Sequence, residues 1–322
     1  MLDRTTEHCR QMTIGAAVAS LMLMLVLPYG VGIRVDVLSF KPIFLLVAVL
    51  AMFIPYVAWR KLGRMKCGLE ASALGLVMAL PVLVFSYSAM RAALPLSDHI
   101  LIAMDRFIGF DWPWYVSMID SSPLLSTVLA YAYSSFSFQL LLLPIALSLL
   151  GYEKRAFQMV LAYLLMCSSA IALSVPFPAV GAYKAFGITN GDLSSINAHF
   201  GYFFLKSFNA VRDNPSFTLG ISSAAGIITF PSIHAGVAVV CGWASWRSLW
   251  LRVPMTILNF LMALSAISHG SHYLVDVLAG AAVALATIWV VVRLSRPSAR
   301  VFLSARSSIC VPERPGELPA RA

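Results

Sequence analysis

Eight apolar runs, each about as long as a helix needs to cross roughly 30 Å of hydrocarbon, restrict this chain to one kind of solvent. They fall at approximately 12–33, 40–59, 69–91, 124–150, 156–177, 232–250, 253–270 and 273–293. Of 322 residues, 60% are hydrophobic and 11% charged, against about 25% charged in soluble domains. A water-soluble fold of this length could not hide so much apolar surface. The expected fold class is therefore all-α, a polytopic transmembrane helix bundle of about eight spans. Arg4 and Arg10 precede the first run as they would in a signal peptide. That run is too long for an h-region and no small-residue cleavage site follows, so it is read as a retained span.

A net charge of +9 could suggest a nucleic-acid partner, but the basic residues sit in short clusters between apolar runs, as orientation signals do. No nucleic acid is expected. The densest cluster, Arg60-Lys61-Leu62-Gly63-Arg64-Met65-Lys66, is read as cytoplasmic. Alternation through eight spans puts Arg4, Arg10, Lys154, Arg155, Arg247, Arg252 and the Arg-rich tail on that same side. The expected setting is a bacterial inner membrane with both termini cytoplasmic. Five scattered cysteines (Cys9, Cys67, Cys167, Cys241 and Cys310) form no Cys-x-x-Cys pair and read as free thiols.

The chain divides into spans one to three (1–91), an external interfacial segment (92–122), a core (123–296) with an external loop at 178–230, and a Pro- and Arg-rich tail (297–322) expected to be disordered. In 92–122, an amphipathic stretch from Ile100 to Ile108 leads to Trp112, Trp114 and Tyr115, which favour the headgroup layer. Asp105, Arg106, Asp111 and Trp114 are read as interfacial anchors. Tyr131, Tyr133 and Phe136 are read as bundle packing.

Ionisable residues at membrane depth are costly and point to function. They concentrate at two places. Thr229-Phe230-Pro231-Ser232-Ile233-His234-Ala235-Gly236 opens the sixth run, with Pro231 suited to the first helical turn. Ser232, Gly236 and the free N–H groups of that turn form a site suited to a phosphate oxygen. Ser268-His269-Gly270-Ser271-His272-Tyr273-Leu274-Val275-Asp276 opens the last run. His272 and Asp276 are four apart and share a helix face, so the carboxylate can orient the ring and leave its second nitrogen free. Two crossings separate His234 from His272, which brings both to one external level. One histidine backed by Asp and a second facing it can supply a nucleophile and a general acid without a metal. His269, His272 and Asp276 as metal ligands is the competing arrangement, with no second cluster to complete it.

These residues resemble a known family. Phe230-Pro231-Ser232-Ile233-His234, followed by His272-Tyr273-Leu274-Val275-Asp276-Val277-Leu278-Ala279-Gly280, is similar to the type 2 phosphatidic acid phosphatase superfamily, nearest its inositol phosphorylceramide synthase-like branch. The match covers 230–280. The resemblance implies that His272 attacks phosphorus to form a phosphohistidine, that Asp276 orients His272, and that His234 protonates the leaving alcohol. Ser232 and neighbouring amides would hold the phosphoryl oxygens. It implies no metal and no cofactor, a membrane lipid as substrate and, for a transferase, an acceptor alcohol. Roughly the last six spans would form the six-helix catalytic core, open to the outer, periplasmic face.

The chain departs from the phosphatase pattern at two points. Ala266 stands where an Arg is usual, and the early Lys-x6-Arg-Pro motif has only Lys206…Arg212-Asp213 as a counterpart. Arg212 is either a substitute phosphate-binding cation or a solvated loop charge. The expected activity is a lipid phosphatase or headgroup phosphotransferase. The rival from another class is a transporter, which would spread ionisable residues through several spans.

Overall fold

The computed structural model describes residues 3–296, and the tail expected at 297–322 lies outside them. Asp3 caps the first helix by accepting the Thr6 N–H at 2.6 Å. Three long helices follow one another: α1 (Arg4–Gly30), α2 (Lys41–Trp59) and α3 (Gly63–Met90). Two short helices, α4 (Asp98–Phe107) and α5 (Trp112–Asp120), fill the predicted interfacial segment. α6 (Pro123–Ser134) and α7 (Phe136–Leu149) come next, then α8 (Glu153–Ser174). The long loop holds α9 (Ala182–Phe186), α10 (His199–Tyr202) and α11 (Leu205–Asp213). The chain closes with α12 (Ile233–Ser245), α13 (Leu249–Ser268) and α14 (Leu274–Leu294).

The protein is a polytopic helical bundle, but the count of eight full spans needs correction. Among the described residues, six helices are long and apolar enough to cross a membrane, and seven if the bent pair α6–α7 is one span. Every expected run is helical. The fourth breaks by 58° around Ser135, where the Ser134 and Ser135 hydroxyls donate back to the Ala130 and Ala132 carbonyls and compete with the helical ladder. The sixth contributes only the 13 residues of α12, about 20 Å of helix. Trp246, Arg247 and Ser248 break the run, and Ser248 caps the next helix.

α8 forms the centre: 72% of its most apolar window is buried, against 6% for α2, which lies on the periphery. Around α8 pack α1, α3, α7, α12 and α14. Buried hydroxyls join neighbours, Ser72 to the Leu141 carbonyl and Thr13 to that of Phe157. Cys9, Cys67, Cys167 and Cys241 are buried and free.

Arg10–Glu70, Lys66–Glu70 and Arg64–Glu153 ion pairs gather the basic links at one end, where His8 also meets the Leu294 carbonyl. At the other end, Arg34–Val35 pairs in parallel with Thr218–Leu219. Arg91 ties the chain together there by donating to the carbonyls of Val31, Val211 and Asn214. The two histidine motifs open at this second end.

Candidate active site

Ser232 begins α12 as its N-cap, its hydroxyl accepting the Ala235 N–H at 3.3 Å. Pro231, expected in the first turn, lies just before the helix, in a cis peptide with Phe230. Ser232 also donates its own N–H to the Asp276 carbonyl at 2.9 Å, locking the start of α12 onto the first turn of α14. His234 follows two residues on. Tyr133 stacks on its imidazole at 4.1 Å and 13°, and Phe136 lies 4.6 Å from it at a tilt. These two aromatics flank the break between α6 and α7, so the bend brings both rings to the histidine. Tyr133 and Phe136 therefore do more than fill the bundle, and Tyr131 is 75% exposed rather than packed inside it.

His272 stands on the opposite wall, its ring centroid 6.4 Å from that of His234. It is not on a helix face as its spacing with Asp276 suggests. α14 begins only at Leu274, with Tyr273 as N-cap. His272 Nδ1 lies 3.4 Å from Asp276 Oδ2, within ion-pair reach and short of a well-formed hydrogen bond. The same oxygen accepts the Tyr273 N–H at 2.9 Å, and Asp276 Oδ1 is buried with no partner among the described residues. With Nδ1 turned to the carboxylate, Nε2 is the nitrogen left for the cavity side.

The turn before α14 is held at nearly every polar group. The His272 N–H donates to the Ala266 carbonyl, and Ser271, at φ 62°, takes the Ala182 N–H on its carbonyl and the Tyr183 N–H on its hydroxyl. Trp112 Nε1 donates to the His272 carbonyl at 3.0 Å. Asp98 accepts the Tyr273 hydroxyl at 2.8 Å and the Val180 and Gly181 N–H groups. Asp105 accepts the Leu274 and Val275 N–H groups at 3.0 and 2.9 Å. Asp105 is 3% exposed, so the expectation of an interfacial anchor fails: its carboxylate caps a helix N-terminus. Burial pushes its carboxyl up from the ordinary range, against the pull of those two donors. Arg106, Asp111 and Trp114 are exposed, as anchors would be, and Asp111 also caps its own helix α5 by accepting the Trp114 N–H.

Sequence reasoning missed Asp98, Asp105 and Trp112. One signal was available. Asp98, Leu101 and Asp105 fall three and four apart on one helix face, so the two acids share the apolar side of α4, where all three are buried.

His234 and His272 line one cavity of about 500 Å³ between α3, the α6–α7 bend and the loop around Phe200–Phe204. Its remaining walls are mostly apolar or aromatic, and no Lys or Arg lines it among the described residues. Arg212 is elsewhere: its guanidinium donates to the Leu94 carbonyl at 2.7 Å and lies over Phe208. Ser232 is fully buried and does not line the cavity. Gly236 packs where a Cβ would meet Met166 and the Gly280 carbonyl, and its N–H bonds to Ser232 O. Among the described residues, no group of three His, Cys, Asp or Glu is placed to hold a metal ion. His269 Nδ1 instead contacts the Ser268 hydroxyl.

A polytopic helical membrane protein with two histidines and an aspartate gathered at one end of the bundle is the class that fold and geometry define. A PAP2 superfamily model matches residues 99–290, which contain both motifs and the α4–α5 segment, and the chain belongs to that superfamily. No curated protein and no solved structure matches it. Membership implies, in general, an enzyme of the metal-independent phosphatase or phosphotransferase type.

Proposed function

We propose that the protein is a lipid phosphatase or phosphotransferase working through a phosphohistidine on His272. The observation that carries this is the pair His234 and His272 facing one apolar cavity with Asp276 behind His272. In the first step His272 Nε2 forms a bond to phosphorus as the bond to the leaving oxygen breaks. Protonated His234 gives that oxygen its proton. In the second step water or an alcohol attacks phosphorus, the P–N bond breaks, and His234 takes the proton back. Asp276 holds the Nδ1–H of His272 and stabilises its positive charge. The amides of Ile233 and His234 find no acceptor among the described residues, and the positive end of α12 suits the phosphoryl oxygens. The apolar walls suit a lipid tail.

Transfer of a headgroup from a phosphodiester lipid, as the inositol phosphorylceramide synthase-like branch would perform, has one observation in its favour. A wall without Lys or Arg favours a singly charged diester over a doubly charged monoester. The site is proposed to open on the periplasmic side.

The test is purified protein in detergent micelles with labelled phosphatidic acid or phosphatidylglycerol, with and without an acceptor alcohol. Released phosphate marks the hydrolase and a labelled new ester marks the transferase. His272→Ala abolishes turnover and the acid-labile phosphoenzyme, His234→Ala nearly abolishes turnover, and EDTA changes nothing. Full activity in His272→Ala would sink the mechanism. A cysteine placed at the exposed Ser222 should react with an impermeant reagent only from outside, and cytoplasmic labelling alone would overturn the orientation.

A further inference from the structure

The helix carrying Asp276 does not supply all of its own cap. Its N-cap position is Tyr273, which has no short side-chain oxygen, and its hydroxyl is engaged by Asp98. The N–H groups of Leu274 and Val275 turn instead to the two carboxylate oxygens of Asp105, 169 and 170 residues earlier in the chain. Trp112 of the following helix fixes the His272 carbonyl. A single short segment, 98–112, therefore grips four consecutive residues, 272 to 275, and misses only the reacting ring and its partner carboxylate.

We propose that Asp105 is a positioning residue for the His272–Asp276 pair, acting by occupying the helix N–H groups that would otherwise compete for Asp276. This rests on the reading of His272 as nucleophile. Two bonds to an ionised acceptor at the positive end of a helix are strong and directional. Asp276 sits in the same first turn, with Oδ1 unpartnered and Oδ2 shared between Tyr273 N–H and a His272 nitrogen 3.4 Å away. Its hold on His272 is slack. Remove Asp105, and two unsatisfied N–H groups lie in the turn that Asp276 already caps. The carboxylate swings toward them, and His272 loses the acceptor that sets its tautomer.

Asp105→Asn is the sharpest variant, because an amide keeps the shape but offers one acceptor where two N–H groups point. The expected result is a fall in kcat of about tenfold or more with KM within about twofold, partly recovered in Asp105→Glu, which restores the carboxylate. In an Asp276→Asn background the same change should lower kcat by less than about twofold, since the pair it positions is already broken. A readout independent of substrate is the ring-nitrogen NMR of His272 in 15N-histidine-labelled protein, assigned by its loss in His272→Gln. Asp105→Asn should shift His272 away from the Nδ1–H form while leaving the other histidines in place. An unchanged His272 spectrum, or losses that multiply in the double variant, overturns the proposal. If His272→Ala is inactive while Asp105→Asn keeps full kcat, positioning alone fails. If His272→Ala turns over, the phosphohistidine reading fails first.

Discussion

Replacing Gly280 with alanine tests how the two halves of the site are held together. A Cβ at 280 would lie 2.1 Å from the Ser232 carbonyl oxygen, 3.0 Å from its carbon and 3.3 Å from its nitrogen. Ordinary contact begins near 3.5 Å, so the shortfall exceeds about 1 Å, and every atom met is backbone. Ser232 has little freedom to yield, since its N–H is bonded to Asp276 and its hydroxyl caps α12. α14 must move off α12. Overpacking of this kind costs about 1–3 kcal/mol. The catalytic effect should be larger, because Asp276 lies one turn from Gly280 and His234 two residues from Ser232. A displacement of about 1 Å between reacting groups can cost about 100-fold in rate.

Gly236→Ala is the matched control on the other helix. The two nearest neighbours of its Cβ would be the Met166 sulfur at 2.6 Å and methyl carbon at 3.1 Å, the far end of a side chain that readily changes rotamer. The one backbone atom met, the Gly280 carbonyl oxygen at 3.3 Å, needs to give only a few tenths of an ångström. A gain of up to about 1 kcal/mol in helix propensity offsets part of that adjustment. Thermal unfolding in detergent should therefore show Gly280→Ala clearly destabilised and Gly236→Ala close to the parent. Turnover should fall by about 100-fold in the first and less than about threefold in the second. Equal stability of Gly280→Ala and the parent, or equal damage from both, would refute the close approach of α12 and α14 as the element that sets the spacing.

Three further outcomes are expected. Tyr133→Leu removes the ring stacked on His234 and should lower kcat by about tenfold, more than Tyr133→Phe, with little change in thermal stability; equal effects would assign the ring no part in orienting the acid. Asp120 is opposed by desolvation but accepts the N–H groups of Ser194, Ser195 and Ile196, each at 2.8 Å, and its carboxyl lies below the ordinary range. Its hold on the loop is thus complete above about pH 4 and lost as pH falls through the lowered value; proteolysis at 190–200 should rise there, and in Asp120→Asn already at pH 7, whereas pH-independent cleavage would exclude the role. Arg212→Ala should leave turnover within about threefold, because its guanidinium holds Leu94 and Phe208; a loss of about 100-fold would make it a phosphate ligand after all.

What the sequence revealed and what it hid divide along a physical line. The apolar runs and the order of the two histidine motifs are properties of contiguous residues, so the bundle and the meeting of His234 with His272 could be read directly. Asp276 was found for a reason that was only nearly right: four-residue spacing suggested a shared helix face, while the contact is made across a capping turn with His272 outside the helix. Arg212 was promoted by an approximate motif match, and its tertiary surroundings engage it elsewhere. The bend at Ser135 lay inside one unbroken apolar run, where hydropathy is blind to local competition for carbonyls. Asp105 was hidden most completely, since a cap delivered from 169 residues away leaves no local pattern at its target.

That cap also distinguishes two helix ends that sequence treats alike. α12 and α14 both open at the site, and each N-terminus presents partial positive charge from unpaired amides. At α14 the charge is already answered, because Leu274 and Val275 donate to Asp105 and Tyr273 to Asp276. At α12 the Ser232 N–H is taken by the Asp276 carbonyl and the Ala235 N–H by the Ser232 hydroxyl, while the Ile233 and His234 amides keep no acceptor among the described residues. An anion arriving between the histidines is repelled by two carboxylates on the His272 side and attracted by bare amides on the His234 side. On the proposed mechanism this orders the groups: the phosphoryl oxygens settle toward α12, and the phosphorus then faces His272 across the gap. The leaving oxygen can lie beside the His234 ring, which would donate the proton. On that mechanism Asp105 would have a second consequence beyond geometry, since by quenching one helix dipole it would leave the other to fix where the phosphate binds.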